Sequence, residues 1–473
     1  MWILLISIFA ICYLLIALEH VTKINKSAIA LFLAVVLWTI ILLFAPQVVS
    51  HFNMDAFQSY LIANPSLEGL PFKDQAIRFL TGHLLIEQLG DTSETLFFLL
   101  GAMTVVELID QHGGFNFITQ RITTRRMRLL LWTIALISFF LSALLDNLTT
   151  SIVMIMLVRK LVPHREIRWW MAGVVIVAAN TGGAWSPIGD ITTIMLWVKG
   201  NITSIPTVVH LFLPSFVAMV VPVLFIHHRL RGMVEAIPIT KPDVRFYNQL
   251  SLRDRMMVLI LGILGLLSVP VLKSITGLPP FMGILFVLSI LWIFTEIVYQ
   301  KVHNIEEHHQ NRVSRVISRV DIPTILFFLG ILTAVSALQV AGILNYSAQF
   351  LDVKIHNTYL IGGTIGVLSS IIDNVPLVAG AIGMYALPSA ADIAASADPA
   401  YLSQFVQDGA FWQLLAYCAG VGGSILIIGS AAGIVVMGLE KITFTWYLKH
   451  FTFIVILGYI AGILTYYALH YVV

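Results

Sequence analysis

"SALLDNLTTSIVM" (residues 142–154) and "SSIIDNVPLVAG" (369–380) decide how this chain is read. Each sets an Asp-Asn pair inside a long apolar stretch. An ionised aspartate in hydrocarbon is costly unless it faces a partner or a cavity, so two such placements ask for a shared purpose. Around them, the 473 residues are 58% hydrophobic and 11% charged, with a mean hydropathy of +0.91. A soluble domain cannot hide that much apolar surface, so the composition predicts a membrane-embedded chain. The net charge of +2 singles out no partner, and no nucleic-acid surface is expected. Cys12 and Cys418 lie in apolar segments, which argues against a disulfide framework. No basic stretch precedes the apolar run from Trp2, unlike a cleaved signal peptide.

A spanning helix needs ~20 mainly apolar residues. Apolar segments occupy 2–18, 28–45, 94–112, 129–158, 169–198, 207–228, 256–275, 280–299, 323–344, 358–388, 410–438 and 451–472. Four of these (129–158, 169–198, 358–388 and 410–438) are long and interrupted by polar residues or glycines. Lys and Arg mark cytoplasmic loops. Arg121, Arg125, Arg126 and Arg128 precede 129–158, and Arg159, Lys160, Arg165 and Arg168 follow it, so both of its ends read as cytoplasmic. The segment is then a re-entrant hairpin with its tip at "LLDNLTT". The flanks of 358–388 contain one Lys, no Arg and several acids, which predicts a second hairpin entering from the opposite side. On this topology 22 of the 27 basic residues are cytoplasmic; Lys73, Arg78, Lys199, Lys273 and Lys354 are not, and both termini are periplasmic.

The interruptions belong to a repeat. "TLFFLLGAMTVVELIDQHGG" (95–114) matches "TILFFLGILTAVSALQVAGI" (324–343), with Gly101, Thr104 and Gly113 falling on Gly330, Thr333 and Gly342. Ser142 and Asp146-Asn147 fall on Ser369 and Asp373-Asn374. "ANTGGAWSPIGD" (179–190) matches "AGVGGSILIIGS" (419–430), with Gly182, Gly183 and Gly189 on Gly422, Gly423 and Gly429. Helix, hairpin and broken helix thus occur twice with inverted orientation, the pattern of a secondary transporter with its site near the midplane. The chain is expected to divide into N-terminal scaffold helices with an external loop (1–93), a first repeat (94–228), cytoplasmic loops with two linking helices (229–322), and a second repeat (323–473). The external region 46–93 is expected to contain an interfacial amphipathic helix near 73–90, and the charged loop 300–322 to be solvated.

Non-helical backbone at membrane depth is tolerated where protein buries it or it lines a cavity. Carbonyls freed at a break can hold a bare cation, and a hard ion such as Na⁺ wants oxygen ligands. Asp146, Asn147, Thr149, Thr150, Asn180, Thr181, Asp190 and Thr192 concentrate such oxygens in the first repeat; Asp373, Asn374, Ser424 and Ser430 are the poorer set in the second. Na⁺ is expected at Asp146, Asn147, Asn180 and Asp190. A carboxylate that takes Na⁺ or H⁺, but not both, gives exchange without further machinery. Asp146, Asp190 and Asp373 are the candidate proton carriers, with Glu107 and Asp110 behind them. Plainer readings stand beside these. Asp and Asn are ordinary helix N-caps, paired glycines can mark close packing, Glu107 and Asp110 can be interfacial, Asp321 before Ile-Pro reads as a cap, and "EEHHQ" (306–310) reads as a solvated loop.

The doubled Asp-Asn tip, followed by Gly-Gly and Ile-Gly, resembles the ion transporter superfamily. "ALLDNLTTSIVM" (143–154) and "ANTGGAWSPIGDITTIM" (179–195) most resemble the NhaD-type sodium/proton antiporters, and the likeness covers 94–473. That resemblance implies exchange of internal Na⁺ or Li⁺ for external protons in a bacterial inner membrane, with no cofactor. It also implies a scaffold, expected to form a homodimer, and a transport domain that moves as an elevator. Asp146, Asn147, Asn180, Asp190, Thr192, Asp373 and Asn374 match the family's motif positions. The related sodium-coupled dicarboxylate symporters have Ser-Asn-Thr at both tips; an acid there suits a cation over a dianion. The second broken helix has neither Pro nor an acid between its glycines. The rival readings are an arsenite or carboxylate permease on the same fold, a channel, and an intramembrane enzyme. For the last, the chain has no His-Glu-x-x-His and no Gly-x-Ser-x-Gly.

Overall fold

The structure, a computed structural model, describes residues 1–17, 19–114, 124, 126–230, 232, 251–301, 312–371 and 374–472. Asp373, Arg121, Arg125 and the run 306–310 lie outside the described residues. Among the described residues every regular element is helical, and eight helices are long and apolar enough to cross a membrane. The chain is an all-α polytopic membrane protein, as expected. It divides into two compact units.

The first unit comprises Met1–Phe97, Asp321–Asn357 and Val375–Pro388. Its centre is helix Lys26–Leu43 packed along Ile322–Val340. Gly330 allows that approach, since a Cβ there would lie 2.5 Å from the Ala30 carbonyl carbon. Ser27 donates to the Pro323 carbonyl (2.6 Å) and the Trp38 indole to that of Thr333 (3.0 Å). Asp321 is the expected cap, accepting from the Thr324 N–H at 3.2 Å. The helix ends before Gly342, whose φ of +74° suits glycine. The carbonyls freed there accept from the Trp2 indole (2.9 Å, at Ala341) and the Asn53 amide (3.0 Å, at Val340). Gly113, the partner of Gly342 in the repeat, also has a positive φ of +68° just past the end of its own helix.

Region 46–93 is largely helical, and the amphipathic helix expected near 73–90 is present. Helices Ala45–Phe52 and Met54–Ala63 fill its first half. The amphipathic helix begins at Phe72 and runs without a stop into the next span, as one 40-residue helix Phe72–Gln111. A π-turn at Leu80–Leu84 joins the two parts. It keeps the ladder continuous while shifting the face, so the pattern of apolar positions breaks where the helix does not.

The second unit comprises Phe98–Val320, Thr358–Asn374 and Ser389–Val473. The first hairpin is Met127–Leu145 and Asn147–Leu161, with Asp146 alone at the turn. Its start lies beside the end of helix Ser204–Arg229: the Met127 N–H donates to the Gly232 carbonyl (3.1 Å) and the Trp132 indole to His227 Nδ1 (3.1 Å). Near its other end, Arg229 lies over the Trp170 ring at 4.5 Å, and Arg159 reaches Glu440 at 2.5 Å. Both ends therefore sit at one end of the unit, as the ends of a helical hairpin must.

The two broken helices are Arg165–Ala184 with Ile191–Val198, and Ala410–Gly422 with Ala431–Glu440. The first packs on Met127–Leu145 and the second on Thr358–Leu368 and the residues just after it, through matched contacts. Ser142 donates to the Ala179 carbonyl (2.6 Å), and Ser369 to that of Ala419 (2.8 Å). A Cβ on Gly182 would lie 2.1 Å from the Phe139 oxygen, and one on Gly422 would lie 2.1 Å from the Gly366 oxygen. These glycines exist for backbone-to-backbone approach. Residues 171–184 and 410–422 are buried all round, as expected of helices at the centre of a unit.

Candidate ion-binding site

Asn147 starts the second arm of the first hairpin, Asn180 lies one turn before the first helix break, and Asp190 begins the half-helix after it. The structure brings all three together. Asn147 Nδ2 donates to Asn180 Oδ1 (3.0 Å) and to Asp190 Oδ1 (3.2 Å). Thr192 donates to Asp190 Oδ2 at 2.7 Å. Asn374, the first residue of helix Asn374–Met384, approaches the same oxygen at 3.5 Å. Asn180 Nδ2 in turn donates to Ser424 and Ser430, both at 2.9 Å. Oxygens of the second broken helix thus join the cluster of the first. All seven side chains are buried, Asn180 fully and Asp190 at 2% exposure.

Asp190 and Ser430 are repeat partners, both at the N-cap of a second half-helix, yet they act differently. Ser430 accepts from the Gly433 N–H at 3.1 Å, an ordinary cap. Asp190 makes no such bond, so its carboxylate serves the cluster. Gly183 and Gly420 make room for it. A Cβ on Gly183 would sit 3.1 Å from Asp190 Cβ, and one on Gly420 would sit 3.2 Å from Asp190 Oδ2. The second break forms without a proline; Gly422, Gly423 and Gly429 suffice, with a Cβ on Gly423 3.1 Å from the Gly429 oxygen.

Asp146 is placed otherwise. It is half-buried, and its two oxygens accept from the Thr149 N–H (2.7 Å) and Thr149 hydroxyl (3.0 Å). Capping is therefore an observed role for it. Its φ of +84° is strained for a non-glycine residue, because this single residue must reverse the chain between two helices. Thr181 turns back on its own helix, donating to the Val177 carbonyl at 2.7 Å. Glu107 accepts from Gln111 at 2.7 Å, and among the described residues neither it nor Asp110 is hydrogen-bonded to the cluster. Thr150, Ser151 and Thr193 carry buried hydroxyls with no hydrogen-bond partner among the described residues. Thr193 and Gly420 were not anticipated from the sequence; Thr193, directly after Thr192, offered only adjacency as a signal.

A further group escaped the sequence reading. Glu440, ending the second broken helix, accepts from Arg159 Nε (2.5 Å) and Arg168 Nε (3.0 Å), and its backbone carbonyl accepts from the Trp169 indole (3.0 Å). Arg159 also donates to the Leu439 carbonyl. The carboxylate is 1% exposed, so the ion pairs bind the ends of the first hairpin and of both broken helices into one piece.

One hairpin and two broken helices, packed around a buried cluster of amide, hydroxyl and carboxylate oxygens, define the class: a membrane protein with the architecture of a secondary transporter. The family model described as "Citrate transporter" matches residues 13–406. The chain is 43% identical to sodium/proton antiporter 1 of Arabidopsis thaliana, over 98% of this chain and 72% of that protein. It is 41% identical to sodium/proton antiporter 2 of the same plant, over 98% of both. To the Na(+)/H(+) antiporter NhaD of Vibrio cholerae it is 28% identical, over 96% of this chain and 89% of that protein. The chain belongs to this citrate transporter family of the ion transporter superfamily, among the relatives of the NhaD-type antiporters.

Proposed function

We propose that the protein is a secondary transporter exchanging cytoplasmic Na⁺ or Li⁺ for external protons. The observation that carries this is Asp190: a buried carboxylate that opens a half-helix and gathers Asn147, Thr192 and Asn374 around it. Three relatives named as sodium/proton antiporters support the same cargo. In this reading Asp190 takes Na⁺ or a proton in turn. Asn180 Oδ1, the Ser424, Ser430 and Thr192 hydroxyls and the carbonyls at the breaks supply neutral oxygens that can replace part of the ion's hydration shell. Asn147 holds Asp190 and Asn180 in register. Asp146, Asp373 and Asn374 are assigned to proton or ion passage at the hairpin tips, with Thr149, Thr150, Thr181 and the paired glycines in support. The scaffold-and-elevator division, a homodimer through the scaffold, a bacterial inner membrane and periplasmic termini complete the proposal.

The experiment uses proteoliposomes with a preset ΔpH. Na⁺ and Li⁺ should dissipate it while K⁺ does not. Asp190→Asn should reduce the exchange rate at least a hundredfold while still inserting as a folded, monodisperse protein; normal exchange in that variant removes Asp190 from the site. The family's citrate description favours one other reading, a carboxylate permease. A buried acid at the centre opposes a citrate anion, so citrate uptake without any cation-driven ΔpH response would replace the antiporter reading with that one.

A further inference from the structure

At the end of the second unit where Arg159 and Arg168 meet Glu440, the arginines fall into two groups. Those two share the buried Glu440 carboxylate. Arg165 and Arg229 are exposed and, among the described residues, have no carboxylate partner. Arg165 Nη2 reaches only a backbone carbonyl, that of Lys441, at 3.3 Å. Each guanidinium instead lies on an indole, Arg165 on Trp169 (4.9 Å) and Arg229 on Trp170 (4.5 Å). Trp446 packs edge-on between them, 5.1 Å from Trp169 and 5.3 Å from Trp170. The outcome is a row of three indoles with a guanidinium at each end.

The short helix Phe444–His450 continues this corner. Tyr447 anchors it inward, fully buried, while Phe444 and Leu448, one turn apart, are 40% and 44% exposed. Lys441 and Lys449 are exposed beside them, and His450 stacks on Trp446 at 4.8 Å. Of the acids in 161–170 and 439–451, Glu440 is buried and Glu166 is exposed, so cations dominate the surface. The basic-residue distribution assigns all of these segments to the cytoplasmic face. Indoles favour headgroup depth, and basic residues there are drawn to the anionic leaflet.

We propose that this corner is a binding site for the headgroup of an anionic phospholipid. Arg165 and Arg229 attract the phosphate, the three indoles lie at headgroup level, and Phe444 and Leu448 face the acyl chains. Because the site is built on the piece held together by Glu440, a bound lipid would attach that piece to one leaflet.

The test uses the purified full chain in detergent micelles, titrated with phosphatidylglycerol or phosphatidylcholine, with retained lipid counted by native mass spectrometry. The unsubstituted chain should retain phosphatidylglycerol in preference. Arg165→Gln with Arg229→Gln should weaken that retention about thirtyfold, roughly fivefold for each basic residue removed near an anionic surface, and leave phosphatidylcholine unchanged. Arg165→Lys with Arg229→Lys should keep most of it. Equal retention of both lipids, or an unchanged double-Gln variant, overturns the proposal. So does full displacement of phosphatidylglycerol by millimolar glycerol phosphate, which would mark a site for a soluble phosphate. If the double-Gln variant does not fold, brominated lipids give a second readout: brominated phosphatidylglycerol should quench tryptophan fluorescence at lower mole fraction than brominated phosphatidylcholine, and less so in Trp446→Phe. Equal quenching by the two lipids overturns the proposal as well.

Discussion

At the residue scale, the two aspartates of the first repeat have separate geometries although the sequence presents them as one kind of group. Asp190 leaves its helix cap unmade and joins Asn147, Asn180 and Thr192. Asp146 caps its helix through Thr149. Asn is as good an N-cap as Asp, so Asp146→Asn separates structure from ionisation. We expect that variant to melt within about 0.5 kcal/mol of the parent and to lose exchange; retained exchange would reduce Asp146 to a cap. The site's amides and hydroxyls were legible because polar side chains in an apolar run stand out. Gly420 was not, since a glycine's worth lies in what approaches it, here Asp190 Oδ2. Glu440 next to Lys441 reads as a charged helix end; only the fold shows two arginines converging on it.

At the scale of elements, the hairpin of Met127–Leu145 and Asn147–Leu161 is the feature that orders the rest. Its arms of 19 and 15 residues are about 28 and 22 Å long, comparable with a hydrocarbon core of about 30 Å. Length alone would allow each to be a separate span, whereas the basic residues at both ends favour a hairpin that returns to the side it entered. Single cysteines placed at Thr124 and Pro163 should label with an impermeant maleimide from the same side of the membrane; opposite labelling would turn the hairpin into a crossing helix. Cys12 and Cys418 are buried, so the background should be low. The repeat was visible as aligned glycines and proved to be aligned contacts, Gly182 on Phe139 and Gly422 on Gly366. Sequence alone separates an amphipathic helix near 73–90 from the span at 94–112, because Asp91 and Glu94 interrupt the apolar run; the structure joins them as one helix, Phe72–Gln111.

At the scale of the whole molecule, one carboxylate serving Na⁺ and H⁺ in turn makes the two ions competitors. The apparent Na⁺ affinity should therefore weaken with each pH unit of acidification, by up to about tenfold once the protonated form dominates, with the maximal rate less affected, and Na⁺ titrations of ΔpH dissipation at several pH values would measure it. A pH-independent affinity would require separate sites. Composition by itself determined that the chain is an all-helical membrane protein, and the repeated glycines marked its two broken helices, because hydrocarbon admits few alternatives for a backbone that must satisfy its own hydrogen bonds. The tertiary structure alone decided which oxygens meet. Asn180 joins Ser424 and Ser430 across more than 240 residues of chain, and only packing, through glycines that let backbones approach to contact, sets distances of that kind.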